Sequence, residues 1–285
     1  IWKHDKLKSK ALEDGVHALL DYPGVIMTDS GTFQNYVYGD VEVGIEEIVT
    51  FQREIGVDIA TMLDVFGTPD MTKEEVEEAV RETIARAGVS IDAAEGTLLN
   101  GPIQGGVHAD LRAESAVGMA EHGFGVHPIG GIVPLMERQR YRELVEIILA
   151  CREHIPWNRP VHIFGCGHPH LFPICVALGA DLFDSAAYAL FARDDRMLMP
   201  WGTVKLGDIA EFPIATEALA GHTPASVMAL ADDARCELLA RHNLEVTASE
   251  LARCRQAIRD GTIWKLVEER SHTNAALREA TEYLY

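Results

Sequence analysis

The sequence is short of cysteine pairs, of positive charge and of long apolar runs, and each shortage removes a class of protein. Its five cysteines (Cys151, Cys166, Cys175, Cys236 and Cys254) are odd in number, scattered and without CxxC spacing. That excludes a disulfide framework and a thiolate zinc cluster. No apolar run approaches the roughly 18 residues needed to cross a bilayer, and no charged-then-apolar leader opens the chain, so the expectations are a cytoplasmic location and no membrane partner. Lysine and arginine number 25 against 44 acids, a net charge of −19. Such a surface repels nucleic acid at long range, and a nucleic-acid substrate would need a local basic patch. Two explanations stay open: the acid-rich surface of an organism with high internal salt, where screening is short-ranged, or a partner other than nucleic acid.

What is present is an ordinary globular composition, 47% hydrophobic and 24% charged over 285 residues, enough for one large or two small domains. The first residue is Ile1 rather than methionine, and the chain reads as a piece whose start precedes it.

Short apolar runs alternate with helical periodicity. Strands are expected at 25–27, 57–63, 98–103, 125–129, 161–164 and 181–183, with helices at 43–55, 72–87, 110–122, 137–154 and 171–178. The helix at 72–87 carries the strongest start signal, Thr72 as N-cap with Glu75 three residues on. After about Gly207 the pattern turns helical, at 223–241, 247–259 and 263–283, with a short break at Asn243. Six strand–helix units with short connections indicate α/β architecture around a parallel sheet. Each strand ends in small or polar residues, as at the active-site end of a TIM-type (β/α)8 barrel. Six units are two short of closure, as expected if the first two strands precede Ile1. A doubly wound open sheet is the runner-up, although it concentrates its chemistry at one switch point. The domains read as a catalytic barrel over 1–206 and a mostly helical extension over 207–285.

Two strand ends deliver an acid: Val25-Ile26-Met27 precedes Asp29, and Leu182-Phe183 precedes Asp184. Such a pair, far apart in sequence, can converge on one substrate atom, one acid as nucleophile and the other as general acid or base. An isolated aspartate in such a place is more often the N-cap of the next helix. Gly130-Gly131 reads equally as a tight turn, Gln104 as a helix cap and Phe33 as core; His168 and His170 fit a polar loop better than a metal site.

Six stretches, in order and at compatible spacing, resemble the archaeal branch of the tRNA-guanine transglycosylases: IMTDSGTFQNYVYGD (26–40), DIATMLDVFGTP (58–69), GPIQGG (101–106), IGGIV (129–133), FGCGHPHLF (164–172) and DLFDSAAYALFARDDR (181–196). The likeness runs to the C-terminus. It implies a (β/α)8 barrel and exchange of a D-arm guanine of tRNA for 7-cyano-7-deazaguanine, through a covalent ribose–enzyme intermediate, on the route to archaeosine. By position, Asp184 matches the nucleophile and Asp29 the general acid/base. Asp64 and Gln104 match the readers of the guanine edge, the backbone at Gly130 and Gly131 the donors to its carbonyl, and Ser30 and Phe33 the floor and wall of the pocket. The chemistry asks for these types: a carboxylate stabilises an oxocarbenium-like state, guanine leaves poorly without a proton, and the base must be flipped out of the folded RNA.

One departure stands out. Family members bind zinc through a Cys-x-Cys-x-x-Cys run and a later histidine; here those places hold Ile214, Thr216, Leu219 and His242. One histidine cannot hold a four-coordinate zinc, so no metal and no other cofactor is expected, with Ile214 and Leu219 packing in its stead. The family's homodimer and tRNA-docking surface, to which the zinc region contributes, are correspondingly in question. Basic residues cluster at Arg138, Arg140 and Arg142 and at Arg193, Arg196 and Lys205, while Arg235, Arg241, Arg253, Arg255 and Arg259 read as a solvated helical face. Two alternatives to the tRNA enzyme remain: a paralogue that inserts deazaguanine into DNA, and a non-catalytic partner subunit in tRNA modification. Retention of both Asp29 and Asp184 speaks against the second.

Overall fold

Short parallel strands are laid side by side in the order in which the chain makes them. The computed structural model describes residues 1–32 and 43–285 and divides into two units, Ile1–Pro134 with Ile147–His162, and Leu135–Glu146 with Ile163–Tyr285. In the first unit Met27 bridges Ile59 in parallel. Strand β1 (Ile59–Thr61) pairs in parallel with β2 (Leu98–Asn100), Ile59 opposite Leu98. Asn100 bridges Val126, and Ile103 bridges Ile129 at the end of β3 (His127–Ile129). The His127 N–H donates to Pro160 O, 3.0 Å, next to β4 (Val161–Ile163). Helices Ile45–Glu54, Lys73–Ala85, Ala87–Ala94 and Ala109–Ala120 fill the crossovers. Strands enclosed in this way are largely buried, and Ala60, Met62, Ile103, Phe124 and Ile129 are fully buried. The fold is α/β.

Thr72 caps its helix as expected: its hydroxyl accepts from Glu75 N–H at 3.3 Å while the Glu75 carboxylate accepts from Thr72 N–H at 2.8 Å. Beneath the strand ends lies a polar network. Gln52 Oε1 accepts from the Thr28 hydroxyl (2.7 Å) and Thr61 N–H (2.9 Å), the Thr61 hydroxyl donates to Thr28 O (2.6 Å), and Asn100 Nδ2 donates to Thr61 Oγ1 (2.9 Å). These bonds tie the chain just before Asp29 to β1 and β2.

The second unit contains β5 (Leu182–Phe183), helix Ala187–Arg193, and an antiparallel hairpin of β6 (Arg196–Met199) and β7 (Gly202–Lys205). Helices Pro224–Met228, Asp232–Arg259, Ile263–Ser271 and Ala275–Glu282 follow. Its core gathers Met197, Met199, Leu206, Leu219, Val227 and Leu239. Residues 207–285 belong wholly to this unit.

Three expectations are corrected, and one pair of elements is new. The helix expected at 137–154 is two, Val133–Glu137 and Tyr141–Arg152, parted at Gln139, whose φ is +55°. The helix expected at 171–178 begins as a 3-10 turn, Pro169–Leu171, and continues as Phe172–Ala177. The hairpin at 196–205 and the helix before it went unread. No break occurs at Asn243, which lies inside the 28-residue helix Asp232–Arg259. Its buried side chain accepts from Leu198 N–H (2.6 Å) and donates to Tyr188 O (3.0 Å) and Arg196 O (3.2 Å). Partners distant in sequence satisfy an amide that otherwise competes with the helix backbone.

Candidate functional site

Asp64 lies three residues beyond β1, buried with 7% exposure. Gln104, which follows Ile103, is 1% exposed, and its Nε2 donates to Asp64 Oδ2 at 2.5 Å. Burial pushes the Asp64 carboxyl up; hydrogen bonds from Thr32 and Gln104 and the nearby Arg86 guanidinium pull the other way. Arg86 also donates to the Leu63 and Asp64 carbonyls, at 3.3 and 3.4 Å. The Gln104 backbone is held in turn, its N–H donating to Ser115 Oγ at 3.1 Å. Gln104 Nε2 keeps a second N–H beyond the one given to Asp64.

Gly130 and Gly131 follow β3, and their amides differ. Gly130 N–H donates to Ile103 O at 3.1 Å, whereas Gly131 N–H has no partner among the described residues. Gly131 has φ +73°, and a Cβ there would lie 2.6 Å from Gly67 O and 3.0 Å from Gln104 Oε1. Only glycine fits this backbone so close to its neighbours. Asp64, Gln104 and the Gly131 amide thus form one cluster: a carboxylate acceptor, a side-chain N–H and a backbone N–H.

Asp29 is exposed and its Oδ1 accepts from Ser30 N–H at 2.8 Å; Ser30 is buried, its hydroxyl 3.1 Å from that of Thr32. Thr32 reaches Asp64 O at 3.4 Å, which links the chain after Asp29 to the Asp64 loop. Phe33 lies outside the described residues. Asp184, in the second unit, is exposed directly after β5, and its Oδ1 accepts from Gly165 N–H at 2.9 Å. It does not cap the next helix, whose N-cap is Ala186 and whose first N–H, that of Ala187, goes to Ser185 Oγ at 3.0 Å.

A residue unread in the sequence completes the first-unit cluster. Arg112, on helix Ala109–Ala120, is fully buried and donates to Gly106 O (3.0 Å), Ile103 O (2.9 Å) and Gly130 O (2.9 Å). Spacing alone gave no signal for it: one arginine on a short helix usually faces solvent.

A family model described as queuine tRNA-ribosyltransferase matches residues 1–276. Curated relatives named tRNA-guanine(15) transglycosylase include that of Methanocaldococcus jannaschii, 49% identical over 98% of this chain and 44% of its own length. Those of Thermococcus onnurineus (45% identity, 100% of this chain, 49% of its own) and Methanothermobacter thermautotrophicus (46%, 100% and 44%) are similar. The chain belongs to the queuine tRNA-ribosyltransferase family. It spans less than half the length of these relatives.

The positions at which the family resemblance implies zinc ligands, Ile214, Thr216, Leu219 and His242, are otherwise engaged. His242 is buried, its Nε2 3.1 Å from Leu198 O and its Nδ1 2.9 Å from the Thr216 hydroxyl. A carbonyl only accepts, so Nε2 carries the proton and Nδ1 accepts from Thr216. Both ring nitrogens are engaged, and Leu219 and Ile214 pack into the apolar core beside them. These residues do not fit a four-coordinate zinc. His168 and His170 form no metal group among the described residues; His170 is buried with Nε2 3.2 Å from the Tyr141 hydroxyl. The basic clusters are partly neutralised. Arg196 and Lys205 both pair with Asp194 (2.9 and 3.3 Å), Arg140 with Glu143 (2.5 Å) and Arg142 with Glu146 (3.1 Å). No described helix is long and apolar enough to cross a membrane.

Proposed function

We propose that this chain is the catalytic portion of a cytoplasmic tRNA-guanine transglycosylase, built on a (β/α)8 barrel, that replaces guanine 15 of tRNA with 7-cyano-7-deazaguanine. The observation that carries the reading is the Asp64–Gln104–Gly131 cluster. Guanine presents two donors, N1–H and the 2-amino group, beside one carbonyl acceptor. The Asp64 carboxylate takes the two donors, while the second Gln104 N–H and the Gly131 N–H meet the carbonyl. Adenine presents the opposite pattern at these atoms and would leave buried polar groups unpaired, which a hydrogen-bonding pocket rejects strongly. The 7-cyano-7-deaza base has the same edge as guanine, so one pocket serves both the leaving and the incoming base.

The exchange is assigned to two exposed carboxylates. An Asp184 oxygen attacks the ribose C1′ as the C1′–N9 bond breaks; the base leaves with that electron pair and takes a proton from Asp29. The incoming base returns its N9 proton to Asp29, its N9 attacks C1′, and Asp184 departs as a carboxylate. No phosphodiester bond is touched. Ser30 and Phe33 are assigned to the walls of the base pocket. Local neutralisation of the basic clusters and the net charge of −19 imply RNA binding that rests on few phosphate contacts.

Labelled guanine offered with tRNA or with duplex DNA tests the proposal. Incorporation into tRNA at position 15, resistant to competition by adenine, supports it. Incorporation into DNA alone moves the chain to the DNA-modifying alternative, and incorporation into neither refutes base exchange.

A further inference from the structure

Arg112 is an anomaly in energetic terms. It is fully buried, and no carboxylate lies within salt-bridge distance of it among the described residues. Burial pushes its guanidinium down to about 10, still well above neutrality, so the group remains a cation. A buried cation without a counter-ion is costly.

Its contacts show what the charge faces. The side chain enters over Gly105, whose φ is +147°; a Cβ there would lie 2.8 Å from Arg112 N and 2.9 Å from its Cδ. Nε holds Gly106 O at 3.0 Å, and Nη1 bridges Ile103 O and Gly130 O, each at 2.9 Å. Nη2 is buried with no partner among the described residues, and the Cβ position of Gly131 lies 3.5 Å from it. The Gly130 carbonyl belongs to the same peptide group as the Gly131 N–H. A cation bonded to the carbonyl end of a peptide draws electron density from it and strengthens the N–H as a donor.

We propose that Arg112 is a positioning residue that polarises the Gly130–Gly131 peptide, so that the Gly131 N–H stabilises negative charge developing on the carbonyl oxygen of the departing base. The inference rests on the base-exchange reading given above and adds to it a means of stabilising the leaving group. Charge builds on that oxygen only as the glycosidic bond breaks. The stabilisation therefore acts more on the transition state than on the bound base, as in an oxyanion hole. The buried cation is compensated when that charge appears.

The test uses the full-length protein with Arg112→Met and Arg112→Lys, and two probe bases, guanine and 6-thioguanine. Both bases keep the N1–H and the 2-amino group that Asp64 reads, but sulfur is the weaker acceptor. Arg112→Met should lower kcat for exchange at least tenfold with KM for tRNA unchanged. It should weaken guanine binding severalfold and leave 6-thioguanine nearly unaffected; Arg112→Lys should fall between. Equal weakening of both bases, or a change confined to KM, marks a merely structural arginine and overturns the proposal. Should Arg112→Met fail to melt cooperatively, Arg112→Lys decides on the same ratio. Asp64→Asn separates the two readings, because it should abolish binding of both bases. If it does not, base recognition falls. If it does while the Arg112 ratio stays at the wild-type value, only the present inference falls.

Discussion

Gln104 donates its side-chain amide to the Asp64 carboxylate at 2.5 Å, and both groups are buried. The acid's pKa is raised by burial and held down by this bond, among others. Gln104→Leu removes the donor, so the carboxyl should hold its proton to a higher pH. A protonated acid cannot accept from both N1–H and the amine, so guanine affinity should weaken with acidification sooner in the variant than in wild type. The check is a base-binding titration at several pH values, in which the loss of affinity sets in at a higher pH for the variant; coincident pH profiles contradict it.

Asp184 is exposed, with Gly165 N–H bonded to it at 2.9 Å. Asp184→Asn should therefore unfold at nearly the wild-type midpoint, the cost being about 1 kcal/mol or less. The same variant should form no RNA adduct that survives denaturation, while the wild-type protein does. A denaturing gel of protein incubated with tRNA reads the difference directly.

Two buried histidines make acid a denaturant. His127 is held down to about 4 and His170 to about 3, in both cases chiefly by burial, against an ordinary value of 6.5. The folded pKa lies below the unfolded one. Their contribution is thus fully present above about pH 6.5 and is withdrawn as the pH falls towards 4. At pH 5 each should cost on the order of 2 kcal/mol of stability. Urea unfolding at pH 7, 6 and 5 measures the slope, and His170→Asn should flatten it.

Asn243 fastens the hairpin. Asn243→Ala strands Leu198 N–H and the carbonyls of Tyr188 and Arg196 in a buried setting. A loss of about 2–4 kcal/mol follows from the unpaired groups. Asn243→Asp, which keeps one acceptor but no donor, should lie between alanine and wild type in chemical denaturation.

The His242 neighbourhood should be indifferent to chelators. Purified protein should contain far less than one zinc per chain, and EDTA should leave its melting temperature unchanged. The combined substitutions Ile214→Cys, Thr216→Cys and Leu219→Cys restore a ligand set of three thiolates and one imidazole, and this variant should bind zinc stoichiometrically. Elemental analysis of both proteins decides the matter.

Local signals carried much of the fold. Thr72 and Glu75 announced their helix because a capping box is written in four consecutive residues, and the strands before Asp64 and Gln104 were legible as apolar runs ending in polar groups. What escaped depended on partners far along the chain. Asn243 looked like a helix break because its amide usually competes with the helix backbone, and only the chain at Tyr188, Arg196 and Leu198 settles the contest. Gln139 gave no warning of a left-handed backbone, a conformation more often taken by glycine or asparagine. At the site, residue types at strand ends pointed to Asp64 and Gln104. Arg112 could not be told from a solvent-facing arginine, because its function lies in three carbonyls that only the folded loops bring to it.

The Asn243 peg also sets an order of events in biogenesis. Leu198 meets its acceptor 45 positions further along the chain, so a ribosome must release nearly the first half of the long helix Asp232–Arg259 before the β6–β7 ribbon can lock. A nascent polypeptide halted short of that point exposes Met197 and Met199, both fully buried in the finished protein, to chaperones and to other chains. Truncations ending before the middle of that helix should therefore be recovered as aggregates rather than as smaller folded pieces.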